Sequence, residues 1–284
     1  MKSIFKMELK RAFCNKLFLL VVVVGCAMAT AAFFTTNAWV LTKAWWFDYL
    51  PQTQQGQLMA SKVQTMDTAL TLWMPNRGSG SPFYYLFITI LPILAAIPYG
   101  ASYLTDKKSG LVNQITVRAK KRDYYLSKLI VTFLNGGAVA VIPLLFNLLM
   151  CMCSLPLGKP IYATLFYPVK DFHVLADMYY TNPVLYLIIY FIFIFFVYGL
   201  VNCMCLTFTY LEENKFAIIL TPFILVFSEY VLLNYGLRMG NYALFWCASL
   251  FYFEKRAAAA VVCQLVVLLA AAASYLIRIK KDVL

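Results

Sequence analysis

Between Lys16 and Lys43 the chain carries no charged residue. That uncharged run, 17–42, narrows the possible folds more than any other feature. About 20 apolar residues are needed to cross a bilayer as a helix. In hydrocarbon every backbone N–H and C=O must be satisfied inside the segment, which restricts spanning structures to helices and closed barrels. Comparable runs recur at 82–105, 129–158, 178–211, 216–237 and 257–277, and only the fifth holds an ionisable residue, Glu229. The expectation is an all-α integral membrane protein of six transmembrane helices forming a single domain over 1–284.

Composition agrees with the runs. The chain is 63% hydrophobic and 13% charged, with a mean hydropathy of +0.75, far from the make-up of soluble domains. A net charge of +12 could suggest nucleic acid. The basic residues lie in short loops beside apolar runs, however, where they set orientation and contact anionic lipid, so no nucleic-acid partner is expected and the bilayer is the first partner.

The most basic of these loops is 106–128, with Lys107, Lys108, Arg118, Lys120, Lys121, Arg122 and Lys128 against two aspartates. The positive-inside rule places it in the cytoplasm. On that assignment 16 Lys and Arg lie inside and 8 outside, which puts both termini in the cytoplasm of a multi-pass protein. Residues 1–16 carry five basic residues with Phe5, Leu9, Ala12 and Phe13 at helical spacing, the pattern of an interfacial helix. A cleaved secretory signal competes for this region, since Val23-Val24-Gly25-Cys26 resembles a lipoprotein cleavage box. The reading adopted is an uncleaved anchor.

The remaining runs carry their own marks. Pro92 and Pro98 predict a bend toward the cytoplasmic end of the second helix. Gly136-Gly137 permits close helix contact in the third. The fourth run exceeds one perpendicular crossing, so it is expected to tilt or extend into the interface. A dozen apolar residues, 242–253, are too few to cross and read as re-entrant. The outer loop 43–81 is expected to be part helical, with Trp39, Trp45, Trp46 and Trp73 as interfacial belt residues.

Little in the sequence points to catalysis. There is no P-loop, no H-E-x-x-H and no nucleophile elbow, and one histidine with one intramembrane acid leaves no acid/base pair. No catalytic residue and no metal ligand are assigned: Cys151 and Cys153 form a C-x-C pair without a second pair or nearby His, and His173 lies in a loop. Glu229 is the intramembrane polar candidate, because a charge in hydrocarbon is costly without a partner; Arg238, Asn234 or water could satisfy it. Asn135, Asn147, Asn202 and Gln264 also lie within the runs, where amides bridge helices.

Loop 106–128 has an uncharged middle, in which Leu111, Ile115 and Arg118 stand at helical spacing around Val112. This predicts a short surface helix, and exposed apolar residues on such a helix usually meet a partner. The overall plan resembles the type-two ABC transporter permeases: an amphipathic N-terminal helix, six spans, a cytoplasmic loop between spans two and three, and a half-crossing before the last. The local order is similar too, with an acid at Asp106, a glycine at Gly110, basic residues from Arg118 to Arg122 and Lys128 opening the third span.

The resemblance implies the membrane subunit of a bacterial ABC exporter in the cell membrane. It would pair with a second permease, identical or related, and with two copies of a P-loop ATPase that bind ATP and Mg, while this chain binds no cofactor. Coupling to the ATPase would run through Asp106, Lys107, Lys108, Gly110, Leu111, Val112, Ile115, Arg118, Lys120, Lys121 and Arg122, braced by Phe5, Leu9 and Phe13. The aromatic content suggests an amphipathic or apolar substrate, such as a peptide, lipid-like molecule or drug, with antimicrobial-peptide resistance as one role. The competing reading is a membrane scaffold or sensor whose basic loop recruits a cytoplasmic partner without transport.

Overall fold

In the computed structural model, residues 2–47, 68–75, 82–155, 158, 169, 173–247 and 254–278 are described. They form helices α1 (Lys2–Phe13), α2 (Lys16–Phe47), α3 (Ala69–Leu72), α4 (Pro82–Ala96), α5 (Ser102–Lys108), α6 (Leu111–Arg118), α7 (Lys121–Ser154), α8 (Ala176–Thr181), α9 (Pro183–Phe208), α10 (Lys215–Val231), α11 (Leu244–Cys247) and α12 (Ala258–Arg278). A π turn, Leu232–Gly236, and two 3-10 turns, Gly240–Tyr242 and Lys255–Ala257, complete the set. No β-strand occurs among the described residues; there is a single bridge between His173 and Glu254.

Five segments are long and apolar enough to cross a membrane: Lys16–Thr35, Lys121–Ser154, Pro183–Phe208, Lys215–Gly236 and Lys255–Ile277. This is the make-up of a multi-pass membrane protein. Leu19, Val23, Ile192, Val262 and Val267, all on these helices, expose more than half of their surface, as residues facing lipid do.

The expected second span is divided. α4 ends at Ala96 after 15 residues, about 22 Å at 1.5 Å per residue, which is less than the roughly 30 Å hydrocarbon core. Pro92 is accommodated inside it, whereas Pro98 stops the helix, because proline offers no N–H and disfavours helical backbone in the residue before it. The chain then turns through Ile97–Ala101 and restarts as α5.

Two other boundaries differ from the sequence expectation. The third span begins at Lys121, so Lys121, Arg122 and Asp123 form the first turn of a 34-residue helix rather than loop. The long fourth run is two helices, because Pro183 opens α9 at its first turn, a position where the missing N–H would be unsatisfied in any case. Of the expected re-entrant stretch 242–253, Tyr242 ends the turn Gly240–Tyr242 and Leu244–Cys247 forms a short turn of helix, and 248–253 lies outside the described residues. Most of the outer loop 43–81 also lies outside them. Trp73 is fully buried, with its ring edge-on to Tyr190 and Phe191 at 5.3 and 5.6 Å; it is a core residue and not a belt residue.

α7 and α9 form the centre of the bundle. A Cβ added at Gly136 would lie 2.8 Å from the Tyr198 carbonyl oxygen, one at Gly137 2.7 Å from that of Phe195, and one at Gly199 2.9 Å from that of Phe133. The absence of side chains there lets the two backbones approach. Buried amides tie the same helices to their neighbours. Asn202 Nδ2 donates to the Thr132 carbonyl at 2.9 Å, Asn135 Nδ2 to that of Ala12 at 3.3 Å, and Asn147 Nδ2 to that of Ala29 at 2.8 Å, while Asn147 Oδ1 accepts from Met74 N–H at 2.8 Å.

Candidate functional site: a buried ion cluster beside a basic surface helix

α5 and α6 form a helix pair at one end of the bundle. Gly110 joins them with φ +73, and nothing lies within 4 Å of the Cβ it lacks. Glycine is therefore required there by backbone conformation, not by space. This left-handed residue reverses the chain after α5 and starts α6 at Leu111.

Below the pair four charged side chains from three parts of the chain converge. Asp106, in the last turn of α5, takes hydrogen bonds on both carboxylate oxygens: Oδ1 from Arg11 Nη2 at 2.6 Å, and Oδ2 from Lys128 Nζ at 2.6 Å and Arg11 Nη1 at 3.2 Å. The Tyr124 hydroxyl adds a bond to Oδ2 at 2.8 Å. Glu8 accepts from Arg11 Nη1 at 3.1 Å, from Lys128 Nζ at 3.2 Å and from the Tyr99 hydroxyl. The Lys128 ammonium lies over the faces of Tyr99 and Tyr124, 4.7 and 5.9 Å from the ring centroids, where ring quadrupoles attract a cation.

Glu8 and Lys128 are fully buried and Asp106 is 1% exposed. Such burial is sustainable only because two carboxylates meet two cations and the oxygens are hydrogen-bonded. Burial alone would raise the Asp106 pKa, but the Arg11 hydrogen bond and the charge of Lys128 outweigh it and hold the carboxyl below its ordinary range. The Asp106 hydrogen bond likewise raises the Arg11 guanidinium pKa against the opposing effect of burial. The arrangement is a charge-neutral clamp that fixes α1, α5 and the base of α7 as one body.

Tyr124 joins this clamp to a tyrosine cluster. Its ring meets Tyr125 at 5.5 Å. Tyr103 meets Tyr125, Tyr210 and Tyr275 at 5.7, 5.8 and 5.6 Å. These rings come from α5, α7, α12 and the segment after α9. Val112 and Ile115 of α6 pack against them, so the surface helix rests on a platform reaching the last span.

Part of the expected coupling surface is turned inward. Val112 and Ile115, expected as an outward apolar anchor with Leu111, are half-buried against the tyrosines. The outward apolar residue of α6 is Val117, 87% exposed. Asp106 is not on the surface but at the centre of the clamp. Lys107, Lys108, Arg118, Lys120, Lys121 and Arg122 are exposed and form a basic face. Lys108 Nζ also donates to the Glu213 carbonyl in the turn before α10, at 2.7 Å.

The other candidates lie elsewhere. Phe5, Leu9 and Phe13 are half-buried around Ala12, Tyr99 and Val131, so α1 packs on α7 beside the clamp. Glu229 is at the far end of α10, where Oε1 accepts from Leu244 N–H at 3.4 Å; it ties α10 to the start of α11 and does not join the cluster. His173 is buried and paired through its backbone with Glu254. Among the described residues no group of three or more His, Cys, Asp or Glu could hold a metal.

Sequence reasoning missed Glu8, Arg11, Tyr99 and Tyr124. One local signal existed: Phe5, Glu8, Leu9 and Ala12 stand at i, i+3, i+4 and i+7, which puts an acid on the apolar stripe of α1. No protein-family model, curated protein or solved structure matches this chain.

Proposed function

We propose that this chain is the membrane subunit of an ABC exporter, with both termini and the basic helix pair in the cytoplasm of a bacterial cell and six passes through its membrane, one of them completed by α4 together with the turn Ile97–Ala101 that follows it. A P-loop ATPase docks beneath α6. Two ATPase subunits serve two permeases, identical or related, and the ATPase holds ATP and Mg. The observation that carries this reading is the clamp of Glu8, Arg11, Asp106 and Lys128 directly beside a surface helix, α6, flanked by exposed basic residues of α5 and the start of α7.

A surface helix on a flexible loop would yield when pushed. Here α6 presses on tyrosines anchored in α5, α7 and α12, and the clamp holds α5 to α7 and α1. A displacement of α6 is then a displacement of the helix bases, as alternating access by rigid-body rocking needs. The basic face sets encounter rate and specificity for an acidic groove. An amphipathic or apolar cargo, such as a peptide, lipid-like molecule or drug, suits a bundle with so few intramembrane charges.

Affinity purification from native membranes, followed by identification of the co-purifying chains, tests this. A P-loop ATPase whose hydrolysis rises when the complex is reconstituted is the expected result. Recovery of a kinase or other cytoplasmic partner with no ATPase would overturn it and favour a recruiting scaffold.

A further inference from the structure

On the side of α1 away from the clamp, Lys6, Leu9, Lys10 and Phe13 stand at i, i+3, i+4 and i+7 and form one wall of a groove of about 660 Å³. The other wall is Leu134 and Ala138 of α7 with Phe195 of α9. The lining is apolar throughout, since Lys6 and Lys10 contribute their aliphatic stems and carry their ammonium groups outside it. Lys6 and Lys10 are exposed, and among the described residues neither is paired with an acid: Glu8, the nearest in sequence, is turned into the clamp. Like charges four residues apart on a helix repel, so the sequence tolerates a repulsion that an anion at the groove mouth would relieve.

We infer that this groove binds one anionic phospholipid, its acyl chain against Leu134, Ala138 and Phe195 and its phosphate between Lys6 and Lys10. Charge complementarity selects this occupant. A neutral lipid would leave the two ammonium groups unpaired, and a second copy of this chain would bring its own lysines to them. Leu134 and Ala138 lie about four turns into α7 and Phe195 halfway along α9, so the groove faces the acyl-chain region when these helices span the bilayer, and the long stems of Lys6 and Lys10 carry their charges toward headgroup level. The inference rests on the membrane placement alone and is independent of any transport role.

Native mass spectrometry of the purified full chain, titrated with phosphatidylglycerol or phosphatidylcholine, tests it. A lysine near an anionic surface contributes about fivefold in affinity, so two give a preference for phosphatidylglycerol of the order of 25-fold. Lys6→Gln/Lys10→Gln should bring the two lipids to parity with the fold retained. Ala138→Trp, which fills the groove, should remove the tight site for both. Cys14, exposed and lining the groove, supplies a second readout, since phosphatidylglycerol should slow its maleimide modification, read by peptide mapping, and inorganic phosphate should not. Equal retention of both lipids by the native chain would overturn the proposal, as would protection by phosphate alone or efficient Cys14–Cys14 cross-linking between two copies.

Discussion

The Lys128 ammonium lies 2.6 Å from the Asp106 carboxylate with both side chains sealed from solvent, across 22 residues of sequence that include the whole of α6. The segment between them is therefore closed into a loop by one buried ion pair. Removing either partner leaves a charge without compensation in a dry site, the costly case for buried pairs.

Lys128→Met is expected to destabilise the protein by about 3–5 kcal/mol. The double variant Asp106→Asn/Lys128→Met should lose clearly less than the sum of the single variants, since it removes both charges. Thermal unfolding of the four proteins in detergent gives the coupling. Strict additivity would mean that the two residues do not interact.

The same cluster sets a pH dependence. Asp106 is held below the ordinary carboxylate range, so its contribution is complete above the unfolded value of about 4 and is lost as pH falls through the depressed folded value. Arg11 is shifted up; its contribution is complete below the ordinary guanidinium range and does not vary near neutrality. The Asp106 contribution to the melting temperature should thus be constant from about pH 6 to 8 and fall below about pH 4. Asp106→Asn should make that acid limb shallower, and an unchanged limb would count against a paired Asp106.

On α6 two neighbouring apolar residues should behave differently. Ile115→Asp places a charge against the tyrosine platform and is expected to lower the melting temperature markedly. Val117→Asp, at a site 87% exposed, should change stability by no more than about 0.5 kcal/mol yet weaken co-purification of a cytoplasmic partner. A Val117→Asp protein that binds its partner normally would remove α6 from the interface.

Gly137→Ala is expected to cost about 1–3 kcal/mol, because the new methyl meets both the Phe195 ring and the Phe195 carbonyl oxygen. Gly236→Ala is the control. Its Cβ would make an ordinary 3.6 Å contact with Leu232, and a change within about 0.5 kcal/mol is expected.

Asn147→Ala removes the acceptor of the Met74 N–H, leaving a buried donor at a cost of about 1–3 kcal/mol. Hydrogen exchange at the Met74 amide should speed up by a corresponding factor. Unchanged protection would mean that another group takes the bond.

How far the sequence reached can be followed residue by residue. Membrane-length helices were legible because length and lack of charge are properties of a window, and helix α6 because its spacing is local. The break at Pro98 was anticipated as a bend, since proline weakens a helix locally while only the surroundings decide whether the helix continues. Asp106 stood out as part of an outward surface and Lys128 as the residue opening the third span; their burial depends on a partner helix 95 and 120 residues away. Glu8 left one local trace, its place on the apolar stripe of α1, but that place does not say which cations it meets, since Lys128 is 120 residues away.

By itself, then, the sequence determined that this chain forms apolar helices with a basic end, because transfer free energy and helical period act over neighbouring residues. Only the tertiary structure decided that Glu8, Asp106 and Lys128 are sealed from solvent and neutralised with the help of a half-exposed Arg11, and that Val112 and Ile115 turn inward while Val117 turns out. Ion pairing in low dielectric and the choice of which apolar face is covered depend on groups distant in sequence, and no local pattern specifies which of them will meet.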